Sequence, residues 1–192
     1  MTAASQTGAV STVKQHEEGG QATGAESASG QTNRTAQGPR VHPRAVIRGN
    51  VELSDGCCIG AATVIDGGES GIFFGKNTVV EDRVKITNRN SVRMTIGSYT
   101  WIEDQAVLEN VEKVGDHVRV EAGAQVVDCK ELGNGCNVAQ GVKVKSRGVI
   151  PSQIVFYGEA GRMAHDPSAM MRQAAAAAAH HPTHQRLLEN HV

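Results

Sequence analysis

The chain has 192 residues and a formal net charge of -1, with 19 Lys+Arg against 20 Asp+Glu. That is room for one domain with tails, and no basic excess advertises nucleic acid or an anionic membrane as a partner. No apolar run approaches the ~18 residues of a bilayer-spanning helix, so direct membrane insertion is excluded.

Aromatic residues are only 3% of the chain, while glycine reaches 22 residues. Few aromatics, many glycines and many Val and Ile predict a thin, repetitive core. Cys57, Cys58, Cys129 and Cys136 form no CxxC, and no signal peptide precedes them. That pattern suits a reduced intracellular compartment better than a disulfide framework.

Residues 1 to 40 are expected to be a disordered extension. They are Gly, Ser, Thr, Ala and Gln with few large aliphatics, too little apolar surface to offset ordering. Glu17, Glu18 and Glu26, with no Arg before Arg34, argue against a mitochondrial presequence.

From residue 41 large apolar side chains recur every six positions. The first run is Val41, Ile47, Leu53, Ile59, Ile65, and the second is Phe74, Val80, Ile86. In the third, every sixth position from Ile96 to Phe156 is Ile, Leu, Val or Phe. Neither a 3.6-residue helix nor a two-residue alternation produces this period. Four residues after most anchors the side chain is small or β-branched, as at Cys57, Thr63, Thr78, Ala106, Ala124 and Cys136. This is the hexapeptide pattern of a parallel β-helix, with three hexads to each triangular coil. Gly97-Ser98, Gly115-Asp116 and Gly133-Asn134 recur 18 residues apart and mark one column of corners, where Gly, Asn and Asp tolerate positive φ. A little over six coils at ~4.8 Å each predict a prism roughly 30 Å long. Resemblance to hexapeptide β-helices implies the left hand, against the usual crossover rule.

Three extra residues between Ile65 and Phe74, and four between Ile86 and Ile96, are expected to bulge as polar loops. Glu112-Lys113 and Lys130-Glu131 are 18 apart with swapped charges, so Glu112 should lie over Lys130 and Lys113 over Glu131. After Tyr157-Gly158 the repeat stops. Asp166-Pro167 reads as a helix start and the alanines 174 to 179 as helix, with Pro182 breaking or kinking it before a second piece carrying Leu187 and Leu188. The organisation read from sequence is therefore an extension (1–40), a left-handed β-helix (41–158) and a helical tail (159–192).

Histidine enzymes occur in this fold class. A zinc site of the carbonic anhydrase kind needs three imidazoles, and only His42 and His117 lie in the repeat. His117, three after its anchor, is an outward corner residue that could serve as an acyltransferase base or be a solvated surface histidine. The four histidines His180, His181, His184 and His191 read as a soluble tail rather than a metal tract. No catalytic residue, metal or cofactor is expected. Trp101 lies five after Ile96, an outward position, in a column with Val79 and Cys58 one and two coils earlier. Cys58, Val79 and Trp101 form an outer apolar stripe that needs a cover, either a partner or the C-terminal helix, with a lean toward the partner.

The segment VIPSQIVFYG at 149–158 with its helical tail, the opening AVIRGNVELSDGCCIG and the polar insertion after Ile86 resemble the dynactin subunit 6 family. The resemblance covers about residues 41 to 160. It implies a non-enzymatic subunit of the dynactin pointed-end complex in the cytoplasm and cytoskeleton, supporting cargo attachment of the dynein motor. It also implies dynactin subunit 5 as β-helical partner, beside the pointed-end actin-related protein and other dynactin subunits. The alternatives are a hexapeptide-repeat acyltransferase and a zinc-less homotrimer like the gamma-carbonic anhydrases.

Overall fold

The computed structural model describes residues 38–158 and 160–189. The expectation of a disordered extension falls almost wholly on residues outside this range.

The strands follow the hexad period. β1 (Arg40–Val41), β2 (Val46–Arg48) and β3 (Val51–Leu53) make the first coil. β4 (Cys58–Ile59), β5 (Val64–Asp66) and β6 (Ile72–Phe74) make the second, and β7 (Val79–Val80), β8 (Lys85–Thr87) and β9 (Met94–Ile96) the third. β10 (Trp101–Ile102), β11 (Val107–Glu109), β12 (Lys113–Val114), β13 (Arg119–Val120), β14 (Gln125–Val127) and β15 (Glu131–Leu132) continue it. β16 (Asn137–Val138), β17 (Lys143–Lys145) and β18 (Val149–Ile150) complete the sixth coil. Then come β19 (Ile154–Tyr157), β20 (Arg162–His165) and α1 (Ala169–Glu189).

Every third strand joins one of three parallel sheets. The first face runs β1-β4-β7-β10-β13-β16-β19-β20, the second β2 to β17 and the third β3 to β18. The chain is a left-handed parallel β-helix of hexapeptide repeats with a C-terminal helix. The pairing measures both insertions. Trp101 pairs with Arg119 at the regular step of 18 residues, whereas Cys58 pairs with Val79 and Val79 with Trp101 at steps of 21 and 22 (18 + 3 and 18 + 4). The extra residues leave as loops that stack on one another. Asn88, 1% exposed, donates from Nδ2 to the Gly71 carbonyl at 2.8 Å, and Ser70 Oγ donates to the Asn90 carbonyl at 2.8 Å.

The anchors fill the prism. Ile59, Ile65, Phe74, Ile86, Ile96 and Ile102 are wholly buried. The small-residue positions turn inward as expected, with Cys57, Ala106, Ala124 and Cys136 also wholly buried. Inward threonines avoid the cost of an unpaired hydroxyl by donating to carbonyls of the following coil. Thr63 Oγ1 reaches the Glu81 carbonyl at 2.6 Å and Thr100 Oγ1 the Gly115 carbonyl at 2.9 Å.

Three expectations need correction. Positive φ falls on Tyr99, His117 and Gly135, two residues after the column glycines rather than on them. Gly97 and Gly115 are needed for space: a Cβ on Gly97 would lie 2.4 Å from the Gly115 carbonyl carbon. The charge-swapped stack forms in half. Lys113 Nζ meets Glu131 Oε1 at 2.8 Å, but no ion pair joins Glu112 to Lys130 among the described residues. At those corners the inward side chains are Val111 and Cys129, one residue earlier, so the third-face corner shifts register by one after β11. Finally, α1 is one continuous helix through Pro182, and β20 precedes it. Contacts on both sides of Pro182, described below, hold the two halves in line. β20 pairs antiparallel with β19 and supplies that last strand with a partner.

Candidate functional site

The first face is the one the C-terminal helix covers. Asp166 lies three residues before α1 and braces its first turn: its Oδ1 accepts from the Ser168 amide at 2.9 Å, and its Oδ2 pairs with Arg172 at 2.5 Å. Those partners hold the Asp166 carboxyl below the usual carboxylate range. Met170 packs on the corner at Gly135, where a Cβ would lie 2.6 Å from the Met170 Cβ. The helix then crosses the coils back toward β1. Ala169, Gln173 and Leu188 are its buried residues, and the small alanines between them allow a close approach.

At the far end α1 lies on the stripe. Cys58, Val79 and Leu188 form a buried apolar cluster, with Trp101 packed against it. The column continues to Arg119 and Asn137, as the sequence predicts. In the structure the chain's own helix covers the three expected partner-binding residues, Cys58, Val79 and Trp101.

Trp101 organises the polar part of this contact. Its Nε1 donates to Glu81 Oε1 at 2.8 Å. The Arg119 guanidinium sits 4.7 Å from the ring centroid, and the His180 and His184 rings lie at 4.8 and 5.7 Å. His184 Nε2 is 3.5 Å from Glu81 Oε1, and Glu81 Oε2 accepts from the Asp104 amide at 3.0 Å. Burial pushes the His184 imidazole below its ordinary value, with the Glu81 carboxylate opposing. His181 Nε2 donates to the Gly56 carbonyl at 2.7 Å. Arg40 donates to the Gln185 carbonyl at 2.8 Å and pairs with Glu189. A groove of about 360 Å³ opens beside this contact, between Leu187 and Leu188 of α1 and Asp82, Arg83 and Asp104 of the coil.

The expectation of a soluble histidine tail is thus corrected, because His180, His181 and His184 all face the coil. The signal was available. Residues 180 and 184 are four apart on a helix and share one face, opposite an outward tryptophan.

The coil histidines lie elsewhere. His42 Nδ1 accepts from the Arg44 amide at 3.0 Å. His117 sits at a corner with φ 53°, its ring stacked on Tyr99 at 5.2 Å and 7°. His117 Nδ1 is buried and has no hydrogen-bond partner among the described residues. No group of three or more His, Cys, Asp or Glu is placed to hold a metal ion among the described residues.

These features define a hexapeptide-repeat β-helix with one helix-covered face. No family model matches the chain, and no curated protein matches it. Solved structures do share the fold. One is a Bacillus cereus protein assigned as an acetyltransferase, 16% identical, with a TM-score of 0.56, covering 79% of this chain and 92% of its own. Another is a hexapeptide transferase family protein from Anaplasma phagocytophilum, 19% identical, with a TM-score of 0.55, covering 77% and 91%. They correct the expectation that the chain is not an enzyme. Proteins with this coil carry transferase names, so the small number of histidines in the repeat is no ground for excluding catalysis.

Proposed function

We propose that the chain works in acyl transfer, with an acyl thioester such as acetyl-CoA as donor and His117 as general base. The observation that carries this reading is the coil shared with a protein assigned as an acetyltransferase and with a hexapeptide transferase. His117 supports it as a coil histidine whose buried Nδ1 has no hydrogen-bond partner among the described residues and whose ring is braced by Tyr99. In the proposed step His117 takes the proton of an acceptor amine or hydroxyl. The acceptor atom attacks the thioester carbonyl, the C–S bond breaks, and the thiol leaves with the proton. The test is acetyl-CoA binding by titration calorimetry, then acetyl transfer to a panel of amines and sugars. Binding by the wild type, with transfer lost by about 10²-fold or more in His117→Ala, supports the reading. No binding of acetyl-CoA overturns it.

A second reading is favoured by how the coil ends. The segment VIPSQIVFYG forms β18 and β19, and a 21-residue helix follows, as the resemblance to the dynactin subunit 6 family implies. Here the chain would be a β-helical subunit of the dynactin pointed-end complex, partnered by dynactin subunit 5 and the pointed-end actin-related protein. It would act in the cytoplasm on the cytoskeleton and reach dynein through the complex. Mixing the purified chain with dynactin subunit 5 tests it by mass. A one-to-one complex supports it, and a homotrimer that ignores the second protein sinks it.

A further inference from the structure

After the sixth coil the prism ends differently on each face. On the first face β20 pairs with β19 and covers it. On the third face the Gly97, Gly115 and Gly133 amides each donate to a carbonyl of the next coil, and the residue in that place on the last coil is Pro151, which has no amide hydrogen to offer. On the second face β17 is the last strand of its sheet, and its outer edge is unpaired among the described residues. The Gln125 amide donates to the Val142 carbonyl one coil on, at 2.9 Å. By the same parity the Lys143 and Lys145 amides point out of the end of the prism, and neither has an acceptor among the described residues. Val144 between them points inward, at the end of the stack that runs through Leu108 and Val126.

The charge at this edge is of one sign. Residues 133–158 hold Lys143, Lys145 and Arg147 and no carboxylate, in a chain whose net charge is -1. Lys143, Arg147 and Arg162 make no ion pair among the described residues, and Lys145 reaches only Asp128, at 3.6 Å and with its side chain 71% exposed. A Cβ on Gly161 would lie 3.5 Å from the Lys143 carbonyl oxygen, so the turn before β20 brings Arg162 to the start of the same edge. Lysines on an open edge keep like strands away. A second copy stacked in the register of the coil would set Lys145 beside Arg48, and one turned end for end would set Lys143 beside Lys145. The same charges suit a strand with carboxylates at alternate positions, because side chains on one face of a strand are two residues apart.

We propose that the open edge of β17 binds an extended acidic segment of a partner protein, with carboxylates on both sides of an aliphatic residue, which adds as a seventh strand to the second face. The aliphatic side chain continues the inward stack beyond Val144, and the two carboxylates meet Lys143 and Lys145. The amide of the aliphatic residue donates to the Lys143 carbonyl and its carbonyl accepts from the Lys145 amide, repeating the register in which β17 pairs with β14. Arg147 and Arg162 extend the basic surface at either end of the strand.

The experiment is fluorescence anisotropy of a labelled peptide with a Glu-Val-Glu core, titrated with the full chain. Two control peptides carry a Lys-Val-Lys core and a Glu-Val-Glu core methylated on the valine nitrogen. Saturable binding of the first peptide, lost in both controls, supports the proposal. No binding of the first peptide overturns it. The methylated peptide keeps every charge and loses the ladder bond to Lys143, so equal binding of that control means charge alone and overturns strand addition. A thymidine oligonucleotide that binds more tightly than the peptide overturns it in favour of nucleic acid. Self-association of the chain that the peptide reverses gives the edge to a second copy, which also overturns it. K143E/K145E should weaken peptide binding by about tenfold or more. K143Q/K145Q adds no new charge and serves where the reversal disturbs the coil, with far-UV circular dichroism as the check on folding. Undiminished binding in the folded variant overturns the proposal.

Discussion

Cys57 and Cys58 are neighbours in the chain and sit in two different interiors. Cys57 points into the prism, 0% exposed, with its Sγ 3.1 Å from the Gly75 carbonyl. Cys58 points out of the first face and is 1% exposed only because α1 lies over it. Both are equally hidden from water, but the interiors differ in kind. The prism core is continuous from Val51 to Phe156, and each layer is pinned by the coils above and below. The second interior is Cys58, Val79 and Leu188 with Trp101 at its edge, under a helix whose middle is alanine. Burial alone does not measure how firmly a residue is held. The number of independent elements that must move to expose it does.

The largest expected effect lies in the prism. Phe74 is wholly buried between stacked coils, and Phe74→Ala should cost about 3–5 kcal/mol in denaturant unfolding. A loss below about 1 kcal/mol would mean that the prism yields as easily as the helix contact. The next effect separates the two cysteines by pH. Burial pushes the Cys57 thiol from an ordinary 9.0 up to about 12 and the Cys58 thiol up to about 11. A thiol whose native value is raised stabilises the fold below its unfolded value, because the unfolded chain ionises first. Stability should therefore fall as pH rises through 9, on the order of 1.4 kcal/mol per pH unit for the Cys57 thiol. Cys57→Ala should reduce that alkaline slope, with the raised Cys58, Cys129 and Cys136 thiols supplying what remains, and a slope unchanged by the substitution would remove the Cys57 thiol from the explanation.

Leu188→Ala tests the second interior. It should weaken helix docking by about 2 kcal/mol at most and leave the unfolding midpoint of the strands in place. The readout is thiol labelling at pH 8. Cys58 should become reactive in the variant while Cys57, Cys129 and Cys136 stay protected. Labelling of all four together would show that the coil and helix open as one unit.

The two interiors were also unequally legible in the sequence. The prism could be read because its period is local: anchors six apart, inward small residues four after them, and insertions of three and four that reappear as the Cys58–Val79 and Val79–Trp101 steps. The corners were misread where one residue type has two uses. Gly97 looked like a residue chosen for positive φ, yet it is there because the next coil passes too close for a Cβ. The stripe at Cys58, Val79 and Trp101 was legible as apolar and outward, but its cover was not. α1 meets residues more than a hundred positions away, His181 to Gly56 for example, and no local pattern encodes that pairing. Pro182 added to the difficulty, since a helix read residue by residue should stop there.

The smallest effect concerns a pair that the sequence placed correctly on an exposed face. Lys113 and Glu131 stand directly opposite on β12 and β15, and the carboxylate raises the Lys113 ammonium above its ordinary value. A raised amine contributes below its unfolded value and stops contributing at strongly alkaline pH. Glu131→Lys should lower stability slightly by setting two ammonium groups face to face, and adding Lys113→Glu should recover most of it by restoring an opposite pair in reverse. Glu112→Lys with Lys130→Glu is the matched control, because those two side chains form no ion pair. The gap between the two cycles should close in about 1 M salt, where screening reaches ~3 Å. Equal coupling in both cycles would mean that the corner shift which turns Val111 and Cys129 inward does not separate Glu112 from Lys130.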